Sequence, residues 1–214
     1  MLRKTFVCVG MLLLTLSCVA QTLRKANPEQ ARKMMETVGK ATASVRSIQC
    51  DFVQVRQSSM LKEKLTSKGK MYFADRNLKW TYTSPNKYAI VVKNGGQEVF
   101  MQQDGKTKKA DGQSGQLFKG IAQIVMGSVT GASLSAPGDF SVEMCYGKDA
   151  EWVATLTPKQ AKMRKMFTVI HLYFNEAHNA VDKVVMKEAN GDATTIMFSN
   201  VKLNEMVAPS VFNF

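Results

Sequence analysis

Two hydrophobic periods divide the chain. Between Asn27 and Ala41 the apolar positions Ala31, Met34, Met35, Val38 and Ala41 recur three and four residues apart, the spacing of one helix face. Asn27 is a good N-cap, Pro28 suits the first helical position, and Gln30 falls where a capping box places its second member. A helix starting at Pro28 and packing through one face is therefore expected. From Ser47 the period drops to two. Met71 and Phe73 alternate within 69–74, Trp80 and Tyr82 within 78–83, and the runs 88–93 and 97–102 flank Asn94-Gly95-Gly96. Alternation broken by turn residues predicts a meander of antiparallel strands.

Asp104-Gly105 closes a further hairpin into a Lys-rich strand around 106–110, and 111–115 reads as a connector. Leu117, Phe118, Ile121, Ile124 and Val125 then return to helical spacing, with Lys119 the only charge among them, so this second helix is apolar over most of its circumference. A second group of strands follows at 140–146, 151–157, 167–174, 180–188 and 193–201, separated by turn signals at Gly147-Lys148-Asp149, Asn175 to Asn179 and Asn190-Gly191-Asp192. Short strands with no long helices between them point to one antiparallel sheet, curled or closed. No internal repeat or linker divides it.

The N-terminus reads as an address. Arg3 and Lys4 precede an apolar stretch from Phe6 to Leu16, and Ser17-Cys18-Val19-Ala20 ends in small residues before Gln21. This is the pattern of a secretory signal cleaved after Ala20, and the apolar run is about half the ~20 residues that span a bilayer. Lipid attachment at Cys18 is an alternative, although Thr15 stands where such signals usually carry Leu. The reading gives a leader at 1–20 and a single domain at 21–214. Without Arg3 and Lys4, 27 basic residues face 17 acidic ones, a formal charge of +10 against +12 for the whole chain. Secretion removes nucleic acid from the candidate partners and leaves anionic membrane surfaces or acidic protein faces.

Catalytic chemistry is thin. His171 sits inside an alternating strand and His178 in an Asn-rich turn, both positions that suit structural histidines. No GxSxG, phosphate-binding glycine loop, HExxH or calcium loop occurs. Cys50 and Cys145 can form a disulfide in an oxidising compartment, or serve as two small buried hydrophobes; no metal or cofactor spacing accompanies them. The chain is instead rich in soft apolar residues, with 11 Phe and 14 Met. A curled sheet with large aromatics on one face can fill itself or hold one guest.

Specific residues add a resemblance. Phe52-x-Gln54, Gly69 with Phe73, Leu78-Lys79-Trp80-x-Tyr82-x-x-Pro85, the Asn94-Gly95 turn, Leu156-x-Pro158-Lys159, Ile170-x-Leu172-x-Phe174, Gly191-x-x-Thr194-x-Ile196-x-Phe198-x-Asn200-Val201 and Phe212-x-Phe214 follow one another in an order that resembles the periplasmic outer-membrane lipoprotein carrier (LolA-like) family. The resemblance runs from about Gln30 to Phe214.

It implies a mainly β (α+β) fold, an incomplete antiparallel β-barrel whose covering helices close a hydrophobic cavity. It also implies a monomeric periplasmic carrier without cofactor or covalent chemistry. Such a carrier takes acylated lipoproteins from an inner-membrane releasing transporter and passes them to an outer-membrane acceptor. Carried over residue by residue, Phe52, Met71, Phe73, Trp80, Tyr82, Val91, Val99 and Met101 are expected to wall the cavity, and Ile121, Ile124 and Val125 to cover it. Arg76 or Lys79 is expected to supply the basic residue that bonds the cover in a closed form. A lipid or glycolipid carrier, or a lipoprotein-sensing regulatory module, is the alternative on the same fold.

Overall fold

The computed structural model describes residues 23–60, 63–110 and 140–214. After a two-residue strand β1 (Arg24–Lys25) comes α1 (Pro28–Thr42), and the chain then runs through two antiparallel meanders. The first comprises β2 (Ser47–Gln57), β3 (Lys64–Ala74), β4 (Asn77–Ser84), β5 (Tyr88–Lys93), β6 (Glu98–Gln103) and β7 (Lys106–Lys109). The second comprises β8 (Phe140–Tyr146), β9 (Trp152–Pro158), a one-turn helix α2 (Ala161–Arg164), β10 (Phe167–Phe174), β11 (Val181–Glu188) and β12 (Ala193–Leu203). Their order in space is β1-β8-β9-β10-β11-β12-β2-β3-β4-β5-β6-β7, one twelve-stranded antiparallel sheet in which β1 and β7 do not meet. It is an open half-barrel, as expected.

The two meanders join where β12 pairs with β2, with Phe198 opposite Phe52 and Ile196 opposite Gln54. Residues directly opposite share a face, so parity carries across every strand pair. Ile170 lies between Leu156 and Met186, Val184 opposite Ile196, Cys50 opposite Met71, and Trp80 between Met71 and Ile90. All of these are apolar and belong, apart from polar Gln54, to one continuous core cluster that reaches from β8 to β6. Because that cluster joins the far strands, the sheet curls around it, and this is the concave face. Helix α1 adds Met34 and Val38, both fully buried, from inside the curl. Its start is the capping box read from the sequence: Gln30 N–H donates to Asn27 Oδ1 at 2.9 Å, and Asn27 N–H to Gln30 Oε1 at 3.0 Å.

The convex face carries its own smaller cluster. Cys145, Val153 and Tyr173 pack there with Leu23 and Val185, and Lys183 Nζ lies 3.7 Å from the Tyr173 ring centroid. Of the two readings of Cys50 and Cys145, this arrangement fits the buried hydrophobes and not the bridge: both are free and buried. Cys50 belongs to the concave core and Cys145 to the convex cluster, and β9 to β12 separate their strands. A bridge needs Cα atoms about 4.4–6.8 Å apart with converging side chains, and opposite faces deny it. The expected outcome is two alkylation adducts on the chain 21–214, which holds only Cys50 and Cys145 of the four cysteines, when it is denatured without reductant and treated with iodoacetamide, read by intact mass; an unreactive pair that gains adducts only after reduction would restore the bridge.

Candidate functional site: the concave aromatic face

The face is built outward from Phe52. Its ring lies 4.8 Å from that of Trp80 at 48° and 5.1 Å from that of Tyr82, edge-on at 81°. Trp80 in turn meets Phe198 edge-on at 5.9 Å, and Tyr82 stacks on Tyr88 at 4.4 Å. Edge-to-face and offset pairs of this kind add about 0.5–1.5 kcal/mol each beyond the burial of their area. Space for Phe52 comes from Gly69, its register partner on β3. A Cβ built at Gly69 would stand 1.9 Å from the Thr81 backbone oxygen and 2.7 Å from the Phe52 ring. Only glycine lets the aromatic ring and the bulged β3–β4 ladder occupy that point together.

Polar groups are few on this surface. Tyr82 Oη donates to Gln54 Oε1 at 2.9 Å, and burial, with the neighbouring Tyr88 phenol second, pushes the Tyr82 phenol well above its ordinary value. It therefore stays a neutral donor over the whole working pH range. Burial also pushes the Cys50 thiol up, to about 12, with Asp51 adding to it, so at neutral pH this sulfur is an inert apolar atom and not a nucleophile. At the β7 end the face opens into a cavity of about 540 Å³ lined by Met101 and Ala110 together with Gln103, Asp104, Lys106, Lys108 and Lys109. That volume is within the range of ligand pockets, with apolar and cationic walls.

Seven of the eight expected wall residues share this face: Phe52, Met71, Phe73, Trp80, Tyr82, Val99 and Met101, the last by its register opposite Ile90. Val91 does not. It is fully buried but falls between Ile90 and Val92, which point inward, and pairs with Lys79 and Phe100 on the convex side. The chain's end lies on that side: Phe214 packs 4.6 Å from Phe100 and Lys93 Nζ sits 4.1 Å from the Phe214 ring centroid. Hydrophobicity and burial are shared by both faces of β5, and only the strand's parity separates Val91 from the wall residues.

The gating expectations also divide. Lys79 shares the convex face with Val91, where burial lowers its ammonium below the usual lysine range, so it does not face anything that covers the concave side. Arg76 sits with Asp75 in the two-residue β3–β4 turn, both at positive φ, and is exposed. Its carbonyl accepts from Gly95 N–H at 2.9 Å, and its guanidinium lies where a Cβ on Gly95 would be, 2.7 Å from Nη2. It is held against the β5–β6 turn. Ile121, Ile124 and Val125 lie outside the described residues.

Sequence reasoning overlooked the second meander's share. Met144, Leu156, Ile170, Leu172, Phe174, Met186 and Ile196 are all core residues, and the alternation in 140–146, 151–157, 167–174, 180–188 and 193–201 was the signal that marks them. Neither histidine forms a reactive pair: His171 Nδ1 is 3.1 Å from Thr155 Oγ1 on the convex side, and His178 stacks on Trp152 at 3.6 Å. Burial, then Lys187, lowers the His171 pKa, so the ring is neutral at pH 7. Among the described residues, no group of three or more His, Cys, Asp or Glu is arranged to hold a metal.

The family model for outer membrane lipoprotein carrier protein LolA matches residues 43–214. The chain belongs to the LolA family. Among curated proteins none matches it. Solved structures resemble this LolA-family chain at low identity. A LolA superfamily protein from Nitrosomonas europaea is 14% identical, with 84% of this chain and 96% of that one covered and a TM-score of 0.45. The lipoprotein LppX of Mycobacterium tuberculosis is 10% identical, with 85% and 98% covered and a TM-score of 0.46. The MucA/MucB complex of Pseudomonas aeruginosa contains a chain 14% identical, with 86% and 60% covered and a TM-score of 0.44.

The Gly69 contact is testable by denaturation. Gly69→Ala should lose about 1–3 kcal/mol of stability through overpacking against backbone, whereas Gly39→Ala in α1, where nothing lies within 4 Å of the added Cβ, should gain about 0.5–1 kcal/mol from helix propensity. Urea midpoints of the two variants measure both. A neutral Gly69→Ala would contradict the packing described for Phe52.

Proposed function

We propose that the mature chain is a periplasmic carrier that shields the acyl chains of lipoproteins on its concave face and moves them from the inner to the outer membrane. The observation that supports it most is the continuity of that face: one apolar cluster runs from β8 to β6 and crosses the β12–β2 seam through Phe198 and Phe52, with Gln54 the polar residue beside them, in a sheet whose edges stay apart. An open sheet can spread to admit a guest, which a closed barrel of filled side chains cannot. Membership of the outer membrane lipoprotein carrier family supplies the class of guest.

The energetics require such a protein. At about 0.8 kcal/mol per methylene, exposing a sixteen-carbon chain to water costs roughly 12 kcal/mol, so unaided crossing of an aqueous compartment is negligible. The carrier needs comparable burial and must then let go. In this reading the leader at 1–20 directs export, a releasing transporter in the inner membrane loads the cargo, and an acceptor at the outer membrane receives it. The +10 charge of the mature chain favours transient contact with anionic surfaces, and the protein acts as a monomer without bond-making chemistry.

Mass spectrometry of whatever co-elutes with the mature protein purified from its own periplasm tests the reading. Acylated lipoproteins are the expected companions. Free lipids or glycolipids would move the function to lipid carriage. A stable complex with a signalling protein that persists without acylated cargo would replace carriage by sensing.

A further inference from the structure

Among the described residues two buried side-chain polar atoms have no hydrogen-bond partner, Trp80 Nε1 and His178 Nδ1. His178 belongs to the β10–β11 turn and is stacked on Trp152. Trp80 is different, because it stands in the middle of the concave face with 5% of its surface exposed. Its cross-strand neighbours are Met71 and Ile90, and its ring neighbours are Phe52 and Phe198. None of these side chains offers an oxygen or nitrogen acceptor, and the strands that carry them are each paired on both sides within the sheet. An indole N–H is a donor with no other role, and an orphaned buried donor in a native protein calls for an explanation.

The adjacent polar pair sharpens the contrast. Tyr82 Oη, one alternate position along the same strand, is satisfied by Gln54 Oε1 at 2.9 Å, so this face can supply an internal acceptor where one is needed. At Trp80 it supplies none. We infer that Trp80 Nε1–H is a ligand-binding donor, and that its acceptor is the carbonyl oxygen of the ester or amide that joins an acyl chain to its lipid. The inference rests on the acyl-carrier reading above and narrows it. The face then recognises an acyl group as such and not merely a hydrocarbon.

The chemistry of the pair is complementary. An acyl chain is apolar except at its carbonyl, which brings an acceptor and no donor; Trp80 brings a donor and no acceptor. Each would carry an unmet hydrogen bond if buried against hydrocarbon alone. A free carboxylate fits less well, since the described neighbours of the indole, Met71, Ile90, Phe52 and Phe198, are uncharged and would leave an anion uncompensated. The expected ligand is therefore neutral at its head: an ester, amide or thioester.

The test compares two probes on the full mature chain, a dipalmitoyl glycerol ester and the matched dihexadecyl glycerol ether, each displacing a fluorescent fatty-chain reporter. The wild-type protein should bind the ester about two- to tenfold more tightly than the ether, the range expected of one neutral hydrogen bond. Trp80→Phe, which keeps an aromatic ring and removes the N–H, should bring the two affinities together, and any loss of affinity from the smaller ring should fall equally on ester and ether. A second readout needs no variant: the indole N–H proton of Trp80, one of two tryptophans in the chain, should shift downfield on adding ester and not on adding ether. Equal ester and ether affinities in the wild type, with no selective shift, would overturn the donor assignment while leaving an acyl carrier. Failure to bind either probe would overturn the carrier reading with it.

Discussion

The register of one strand pair, β12 against β2, is what the rest of the molecule depends on. Two meanders of alternating strands would each be half-apolar ribbons on their own; pairing Phe198 with Phe52 and Ile196 with Gln54 makes their apolar faces one surface. The side-chain period of a strand is two, so a slip of one residue would turn the whole second meander's apolar set outward. The seam is pinned at its far end by an irregularity between Ser199 and Lys202, and at its near end by Arg56, which bonds Asp192 at 3.0 Å and Glu188 at 3.3 Å. Asp192 also accepts from Ser59 N–H at 2.8 Å, and these bonds, that of Ser59 foremost, hold its carboxyl below the usual carboxylate range. The folded-state pKa is depressed, so the contribution is present above pH ~4 and fades as pH falls through the folded value.

Phe52 stands at the junction of fold and site. It is fully buried, lies over the glycine that makes room for it, and touches the aromatic rings of β4 that continue the face. The same parity that stabilises the sheet thus assembles the surface available to a guest. A carrier of acyl chains needs little more: continuous apolar area, edges free to move, and very few polar groups, whose placement then carries specificity. Tyr82 with Gln54 and the Trp80 N–H are such groups on the described face, one pair closed on itself and one donor open.

Much of this was legible in the sequence because alternation and turn chemistry are local. Asn27, Pro28 and Gln30 gave the helix its start, and the strands of both meanders fell where period-two runs ended in Asn, Gly and Asp. What escaped was non-local. The face to which Val91 points is set by the parity of its neighbours and not by its hydrophobicity, since the C-terminal segment gives the convex side of β4–β6 a buried layer of its own. Lys79 went to that side for the same reason. The separation of Cys50 from Cys145 depends on strand order, which no spacing encodes. β1 is two residues long, too short for any period. Trp80 was recognised as an aromatic wall residue, but an unmet hydrogen bond exists only once its surroundings are known.

The central claim is that acyl chains lie on the concave face, and the methionines allow it to be mapped. Met71, Met144 and Met186 belong to the concave core, while Met197 is 42% exposed on the convex side opposite Val53 and Met206 is 92% exposed beyond β12. Methyl-labelled methionine NMR, with a nitroxide-bearing stearoyl ester added to the mature protein, reads all of them in one spectrum. The account predicts that the resonances of Met71, Met144 and Met186 broaden while those of Met197 and Met206 persist; broadening of Met197 with the three concave methyls untouched would contradict it.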